Sequence, residues 1–342
     1  MKAVILSEFG SPEALEIREV PTPSPAAGEI LVQVKAAGIC HHDILHRAGK
    51  LPGARAGVVL GHETAGEVVA VGTDVVTHRV GDPVVIYQRQ FCGMCRNCLR
   101  GRQDMCRALG LPAVDTVGGY AEYVCVPAPM AIPVPRGLAW EAAALACCPI
   151  GTSLRALRTL AGTSPGDTVL ITGASGGLGM HQIQIVRALG ARSIAVTSSP
   201  AKAEHLKSLG ADEVIVSPDL KFSAQAWQLT GKQGVDVAID NLGMTLPETL
   251  RGMAQGGTVV VLGNIDGKAV DVLPGLLIGR RIRVMGSGSG TLEDIRQALA
   301  MLQSGQIRPV VSATLPFDEI RRAHALLDDK AVEGRVIMQG WL

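Results

Sequence analysis

The chain has 342 residues, more than the about 100 to 200 of one ordinary domain, so two domains are expected. Its 32 Lys and Arg balance 31 Asp and Glu, and no basic run occurs, which argues against a nucleic-acid partner. With no bilayer-length apolar stretch and no secretion signal in MKAVILSEFG, we expect no membrane association and a cytoplasmic location. There the eight cysteines stay reduced, as metal ligands or buried thiols.

The N-terminal part, residues 1–149, contains many short β-type runs that are broken by Pro and Gly. Examples are KAVILSE, EILVQVKAAG and DPVVIY, and few helical patterns lie between them. This arrangement predicts an irregular antiparallel β domain.

Four cysteines follow one another closely within this part, in the pattern C-x2-C-x2-C-x7-C. They are Cys92, Cys95, Cys98 and Cys106. Four thiolates at this spacing are typical of a closed, tetrahedral structural zinc site. An iron–sulfur cluster is the alternative, but its bacterial spacing ends in C-x3-C-P, whereas Arg107 follows Cys106 after a gap of seven. A closed site braces a lobe, at about residues 90–108, and binds no substrate.

A second group of metal-ligating residue types is spread more widely. Cys40 lies in AAGICHHD, His62 in GHE and Cys148 in ACCPIGT. A single buried Cys or a single His is weak evidence. Together they form a Cys2His set, and three protein ligands with one open position are how a catalytic zinc is held.

The region from about Thr168 to Gly286 alternates apolar, β-branched runs with segments of helical length such as Met180 to Leu189. The expected strands are TVLIT (168–172), SIAVTS (193–198), EVIV (213–216), VDVAID (235–240), TVVVLG (258–263) and IRVMG (282–286). Alternation of this kind predicts a doubly wound α/β domain with a parallel sheet.

A glycine-rich turn follows the first of these strands and opens a helix. Its glycines are Gly173, Gly176, Gly177 and Gly179. Such a turn lets backbone N–H groups and the helix dipole approach a pyrophosphate, so it predicts a dinucleotide site. After the second strand the sequence is AVTSSPAK, with Ser198 and Lys202 and no acid to hold a ribose 2′-hydroxyl. This composition favours NADP(H) over NAD(H).

The tail returns to helix and strand patterns. Thr291 and Asp294 form a capping box before LEDIRQALAMLQSG, and Gly305 stands at the position of a C-terminal cap. A second helix is expected from Phe317 to about Asp329, and the strand-like GRVIMQGWL is expected to return to the N-terminal domain.

Five motifs in one order resemble the zinc-containing medium-chain dehydrogenase/reductase family over essentially the whole chain. They are Cys-x-x-Asp (40–43), Gly-His-Glu (61–63), the four-cysteine lobe, Cys-x-x-Gly-Thr (148–152) and the glycine-rich turn. The resemblance implies an α/β protein with a Rossmann doubly wound parallel sheet over 150–287. It also implies a GroES-like irregular β-barrel catalytic domain built from 1–149 and 288–342.

By this resemblance Cys40, His62 and Cys148 are the ligands of a catalytic zinc, which makes two zinc ions per chain. Cys148 is preferred to Cys147 because it stands four residues before Thr152.

The resemblance also gives roles to residues around that zinc. Glu63 becomes an exchangeable fourth ligand or an acid beside the metal, and Asp43 the carboxylate that orients His62. His41 corresponds to a contact of the cofactor pyrophosphate. The further cofactor contacts are Thr152, Asn241, Gly263, Asn264, Ser287 and Arg335.

The chain departs from the family at the proton relay. His42 stands where relatives carry Ser or Thr, and Leu45 stands where many alcohol dehydrogenases have the terminal relay histidine, with His46 displaced by one position. Three hypotheses remain: His42 transfers the proton itself, His46 reaches in from an altered loop, or the relay is absent.

The main functional expectation is a zinc-dependent oxidoreductase that transfers a hydride between NAD(P)(H) and a small alcohol, aldehyde or ketone. The alternative within the same superfamily is an NADPH-dependent reductase of 2-enoyl substrates of the acryloyl-CoA kind, or of quinones. A zinc-stabilised scaffold without catalysis is a third hypothesis. The strand IRVMG, with the resemblance, indicates a homodimer or homotetramer.

Overall fold

The computed structural model describes residues 1–107 and 118–341. The end of the predicted lobe, residue 108, lies outside these residues. The strands, numbered in chain order, are β1 (Lys2–Leu6), β2 (Leu15–Glu19), β3 (Glu29–Ile39), β4 (Val58–Val59), β5 (Glu63–Val71), β6 (Pro83–Ile86), β7 (Tyr123–Pro127), β8 (Ala131–Pro133), β9 (Thr168–Ile171), β10 (Arg192–Thr197), β11 (Glu213–Val216), β12 (Val235–Asp240), β13 (Met253–Val261), β14 (Arg283–Gly286), β15 (Val311–Leu315) and β16 (Arg335–Met338).

The α-helices are α1 (His41–Arg47), α2 (Trp140–Leu145), α3 (Thr152–Leu154), α4 (Gly179–Ala188), α5 (Ala203–Ser208), α6 (Ser223–Leu229), α7 (Leu246–Gly252), α8 (Pro274–Arg280), α9 (Leu292–Gln303) and α10 (Ile320–Asp328). Two segments, Ala146–Gly151 and Arg155–Leu160, are π-helical. Within the described part of the chain, no helix combines the length and apolarity that crossing a bilayer requires.

The chain divides into two compact units. The first contains residues 1–151, 291–305 and 311–342, and the second contains 152–290 and 306–310. The short stretch 306–310 joins the second unit because the backbone N–H of Val310 donates to Nε2 of His181 at 3.1 Å, and that of Arg308 to Gln184 at 2.8 Å.

The first unit is organised around β3, the longest of the described strands. β5 pairs with β3 along one edge, while β7 and β16 share the other edge, all three antiparallel to it. The path of this sheet is β15-β16-β3-β5-β6-β8, and a smaller sheet has the order β2-β1-β4. Side chains from these strands, among them Ile30 and Val68, form one core cluster with Phe317 of the 3₁₀ turn before α10.

The second unit is a parallel sheet with the order β11-β10-β9-β12-β13-β14. This is the order 3-2-1-4-5-6 of dinucleotide-binding sheets. The strands β9 to β14 occupy the stretches that the apolar runs predict, and α4 follows the glycine-rich turn as expected. The predicted fold class is therefore confirmed.

The tail helices also follow the sequence pattern. Thr291 caps α9, and its hydroxyl accepts a hydrogen bond from the backbone N–H of Asp294 in a complete capping box. Gly305 follows with a φ of 73°, the left-handed conformation of a helix end. The second predicted tail helix begins with a short 3₁₀ turn and continues as α10.

Candidate active site and metal centres

The pairing of β3 with β5 brings the first candidate ligands together. Cys40 follows β3 directly and is the N-terminal cap of α1, while His62 directly precedes β5. Gly38 lies opposite Glu63 in this antiparallel pair. Cys40 and His62 are therefore held at the same end of the strand pair.

Cys148 lies in the π-helical segment that follows α2, with Pro149 inside it. Proline has no backbone N–H, so an α-helical hydrogen bond cannot form there, and a wider turn is tolerated. α2 itself packs on β3 and β5. The structure places the thiol of Cys148, rather than that of Cys147, beside Cys40 and His62.

One ligand atom from each of Cys40, His62, Glu63 and Cys148 lies within 4.8 Å of every other. Nδ1 of His62 faces Oδ1 of Asp43 at 3.1 Å, which leaves Nε2 for the group. Two thiols, one imidazole and a nearby carboxylate are the donor set of a catalytic zinc with an exchangeable position. These residues fit that metal.

Glu63 is fully buried and paired with Arg335. Nη2 of Arg335 lies 2.9 Å from Oε1 of Glu63, and Nε donates to Oε2 at 3.2 Å. Burial raises the pKa of Glu63 to about 7, and the guanidinium of Arg335 opposes that rise. Arg335, predicted as a cofactor contact, thus lies in the first unit against Glu63, and Nη2 also lies 3.4 Å from the sulfur of Cys40.

The two thiols of the group interact directly. A hydrogen bond from Cys148 holds the pKa of Cys40 well below its usual range, against the effect of burial, and the charge of Arg335 assists. The same hydrogen bond, with burial, raises the pKa of Cys148. The first thiolate of the pair is therefore formed on Cys40, next to Arg335.

The histidines of α1 differ in their surroundings. Nε2 of His46 is engaged by the backbone of Arg55, 3.1 Å from its carbonyl oxygen and 3.3 Å from its nitrogen. The ring of His42 meets that of His62 edge-on, with 5.3 Å between centroids. The structure therefore brings His42, and not His46, to the candidate ligands.

The four-cysteine lobe forms a second compact group. The sulfur of Cys95 lies 3.5 Å from that of Cys98 and 3.9 Å from that of Cys106, and 3.7 Å separates the sulfurs of Cys106 and Cys92. Around a tetrahedral zinc with bonds of about 2.3 Å, neighbouring sulfurs stand about 3.8 Å apart. Backbone N–H groups of Met94 and Cys95 lower the pKa of Cys92 to about 6, which favours a thiolate. These residues fit a structural zinc.

The glycine-rich turn connects β9 to α4 in the second unit. Gly173 has a φ of 58°, and a Cβ on Gly179 would overlap the backbone of Ala174, so both positions require glycine. Gly176 and Gly177 lie between them, and the helix N-terminus follows at once. This is the local arrangement that binds a pyrophosphate.

The end of β10 is connected to that turn. The hydroxyl of Thr197 donates to that of Ser175 at 3.2 Å. Ser198 follows in an exposed position, and Lys202 ends a short 3₁₀ turn that begins at Pro200. The stretch 198–202 contains hydroxyls and an ammonium and no carboxylate.

The other predicted cofactor contacts differ in whether their side chains already have hydrogen-bond partners within the described residues. The hydroxyls of Thr152 and Ser287 are buried without a hydrogen-bond partner in the described residues, and the same holds for Nε2 of His41 in the first unit. Orphaned polar atoms of this kind fit a polar ligand. The amide of Asn241, in contrast, is engaged by Gln182 and the carbonyl oxygen of Thr172.

The last two predicted contacts follow β13. A Cβ on Gly263 would overlap the carbonyl oxygen of Asn241, so two backbones approach closely there. Asn264 is exposed.

Two buried residues that organise these sites were missed by the sequence analysis. Asp240, at the end of β12, accepts hydrogen bonds from the hydroxyls of Thr245 and Thr249. An acid closing the apolar run VDVAID is a signal that could have revealed it. Tyr120 donates its hydroxyl to Oδ2 of Asp43 at 2.9 Å, and no local pattern in GGYAEY indicates that contact.

A dinucleotide-type sheet, a closed four-thiol group and a Cys2His group with a carboxylate define a class of metal-dependent, nucleotide-linked proteins. Residues 26–136 match the family model of the alcohol dehydrogenase GroES-like domain, and residues 177–304 match that of the zinc-binding dehydrogenase. An acryloyl-coenzyme A reductase of Metallosphaera sedula is 36% identical over 340 residues, 99% of each chain.

Two further comparisons agree with these matches. An NAD-dependent alcohol dehydrogenase of Saccharolobus solfataricus is 33% identical over 350 residues, 99% of each chain. The crystal structure of AibC superposes with a TM-score of 0.92 at 40% identity, covering 99% of this chain and 96% of that one. The chain belongs to the zinc-type medium-chain dehydrogenase/reductase family, and it is an enzyme, an oxidoreductase.

We expect Arg335→Met to destabilise the protein by about 3 to 5 kcal/mol, because it leaves the buried Glu63 carboxylate without its partner. Equilibrium unfolding in guanidinium, followed by circular dichroism, measures this loss. The control is Arg322→Met, which removes an exposed partner of Glu319 and should cost less than about 1 kcal/mol. Equal losses in the two variants would contradict the assignment of the Glu63–Arg335 pair as a buried ion pair.

Proposed function

We propose that the protein is an NADPH-dependent reductase of 2-enoyl thioesters of the acryloyl-CoA kind. The observation that carries this proposal is the state of the relay position on α1. Leu45 occupies it, and Nε2 of His46 is held by the backbone of Arg55. The proposal chooses between two substrate classes found among the relatives, enoyl thioesters on one side and alcohols or ketones on the other.

The relay matters because the two reactions place their proton differently. Reduction of a ketone or aldehyde ends with a hydroxyl group, so the substrate oxygen must receive a proton. Reduction of the double bond of an enoyl thioester leaves the carbonyl in place, and the proton goes to the α-carbon. A site without a terminal relay histidine suits the second reaction.

The proposed reaction balances with NADPH and one proton. The hydride bonds to the β-carbon, the electron pair of the double bond shifts to the α-carbon, and a proton adds there to give the saturated thioester and NADP⁺. A metal held by Cys40, His62 and Cys148 would supply a Lewis acid that draws electron density to the thioester oxygen. The role proposed for Glu63, whose Oε1 lies 4.0 Å from Nε2 of His62, is that of an exchangeable ligand. The role proposed for His42, whose ring meets that of His62 edge-on, is to supply the proton.

The relatives support this choice of substrate. The acryloyl-coenzyme A reductase of Metallosphaera sedula matches along the full length of both chains. The second candidate is oxidation of a small alcohol or reduction of a ketone, favoured by the complete Cys2His set and by the similar NAD-dependent alcohol dehydrogenase.

Steady-state assays separate the candidates. With NADPH, we expect acryloyl-CoA to have a kcat/KM at least about 100-fold above that of small ketones, a difference of about 2.7 kcal/mol in transition-state stabilisation. A higher kcat/KM for ketones or alcohols would favour the second candidate. Metal analysis of the same preparation should give two zinc ions per chain, and enoyl turnover that persists after zinc removal would place the metal outside the reaction.

We also propose NADP(H) as the preferred cofactor, because Ser198 and Lys202 follow β10 where NAD-specific relatives of this fold carry an acid. Lys202→Ala should raise the KM for NADPH about tenfold or more, since a charge-assisted hydrogen bond to the 2′-phosphate is lost, while the KM for NADH stays unchanged. Lys207→Ala, which removes an exposed lysine paired with Glu204, is the control. Equal effects on both cofactors would contradict this assignment.

In solution we propose a homodimer or homotetramer. β14 lies at one edge of the parallel sheet, and Val284 on this strand is exposed. Leu273 and Ile278 are also exposed, at the start of and within α8, which packs on the neighbouring strand β13. Exposed edges of this kind pair with a second copy. We place the protein in the cytoplasm, where thiol buffers would keep its eight free cysteines reduced.

Val284→Lys should reduce the mass measured by sedimentation towards that of one chain, because an ammonium cannot be buried between two such edges. Val76→Lys, at a position that is 92% exposed in the first unit, is the control and should keep the mass of the parent protein. A parent protein with the mass of one chain would contradict this proposal.

A further inference from the structure

Tyr120 is a fully buried tyrosine whose hydroxyl reaches the surroundings of the candidate zinc ligands. It donates to Oδ2 of Asp43 at 2.9 Å, while Oδ1 of the same carboxylate lies 3.1 Å from Nδ1 of His62. A chain of hydrogen bonds therefore runs from Tyr120 through Asp43 to His62.

The backbone of Tyr120 is tied to the segment that carries His62. Its N–H donates to the carbonyl oxygen of Leu60 at 2.9 Å, and the N–H of Gly119 donates to that of Gly61 at 2.9 Å. Gly61 has a φ of 97°, and a Cβ there would overlap the Tyr120 ring. Tyr120 thus contacts both the backbone before His62 and the carboxylate that faces its imidazole.

The carboxylate of Asp43 is fixed by this arrangement. Oδ2 accepts hydrogen bonds from the Tyr120 hydroxyl and, at 3.0 Å, from the backbone N–H of Cys40. These two donors leave Oδ1 for His62. Hydrogen bonds to a carboxylate are stronger than those between neutral groups, so the side chain has little freedom to rotate.

We propose that Tyr120 is a positioning residue of the metal centre. By holding Asp43, its hydroxyl orients His62 so that Nε2 is directed at the metal, and it thereby raises the affinity of the Cys40–His62–Cys148 group for zinc. This inference rests on the zinc-binding part of the proposed function.

A purely structural role for Tyr120 would depend on its ring. The ring belongs to the core cluster and lies 6.4 Å from Phe317 and 6.1 Å from His324, measured between centroids. Apart from Asp43, the hydroxyl has the carbonyl oxygen of Gly38 nearby, at the longer distance of 3.4 Å. Tyr120→Phe keeps the ring and removes the hydroxyl, so it separates the two roles.

The test compares zinc affinity in the parent protein and in Tyr120→Phe by competition with a chelator. We expect the affinity of the Cys40–His62–Cys148 group to fall about tenfold, while that of the four-cysteine lobe stays unchanged. The visible absorption bands of the cobalt(II)-substituted protein should shift, because the imidazole is less well oriented. Tyr123→Phe, a tyrosine on β7 opposite Gln33, is the matched control and should change neither quantity.

A double-mutant cycle supplies the second measurement. If Tyr120 acts through Asp43, adding Tyr120→Phe to Asp43→Ala should cause no further loss of zinc affinity. An additive loss, or a Tyr120→Phe protein with the affinity and cobalt spectrum of the parent, would overturn the inference alone. A parent protein that holds zinc only in the four-cysteine lobe would overturn both the inference and the zinc-dependent proposed function.

Discussion

The register between β3 and β5 is the constraint on which the candidate site depends. Gly38 of β3 lies opposite Glu63 of β5. Cys40, which follows β3, and His62, which precedes β5, therefore lie at the same end of this strand pair. A slip of one residue would turn alternate side chains to the other face, so the buried carboxylate of Glu63 would leave the group. The second edge of β3 adds Arg335, since β16 begins at this residue and pairs with the end of β3. The pairing of β3 with β5 and β16 therefore brings together the candidate ligands at Cys40 and residues 62–63 and their partner Arg335.

This collection of groups carries a high electrostatic cost. Asp43, Glu63, Cys40 and Cys148 are acidic groups in a buried environment, and Arg335 is the permanent cation among them. Unpaired buried charges cost several kcal/mol each, so an excess of negative charge is tolerated only with compensation. A divalent cation at the centre of the group would remove most of that excess. The same physics accounts for the opposite pKa shifts of the two thiols, lowered for Cys40 and raised for Cys148, since a second thiolate without a metal would add to the excess.

The sequence was sufficient for the fold class, because apolar runs and helix caps are local signals. The strands β9 to β14 lie in the predicted runs, and the Thr291 capping box forms as its residue types require. The assignment of Cys40, His62 and Cys148 to one metal came from resemblance, because Cys40 and His62 meet through the register of β3 and β5, and Cys148 joins them through the packing of α2 on these strands. The contacts of Tyr120 and Arg335 could not be predicted. The hydrogen bond from Tyr120 to Asp43 is long-range and leaves no periodic pattern in the sequence, and the family motif that contains Arg335 does not indicate its partner. Arg335 is an example: the resemblance implies a cofactor contact for it and gives no indication of its ion pair with Glu63.

The displaced histidine of α1 shows how a small sequence change alters the chemistry available to a site with the same ligands. One residue along an α-helix corresponds to a rotation of about 100°, so His46 cannot substitute for a histidine at position 45 without unwinding the helix. Leu45 shares a face with His41 and His42, four and three positions away, and brings an apolar side chain to that face. The His46 ring turns instead to the backbone of Arg55, which fixes the loop after α1. A zinc ion held by the candidate ligands would not distinguish a ketone from an enoyl thioester, because both present a carbonyl oxygen to a Lewis acid. What distinguishes them is whether that oxygen must receive a proton, and on the proposed function the residue at position 45 of α1 decides whether the site can deliver one.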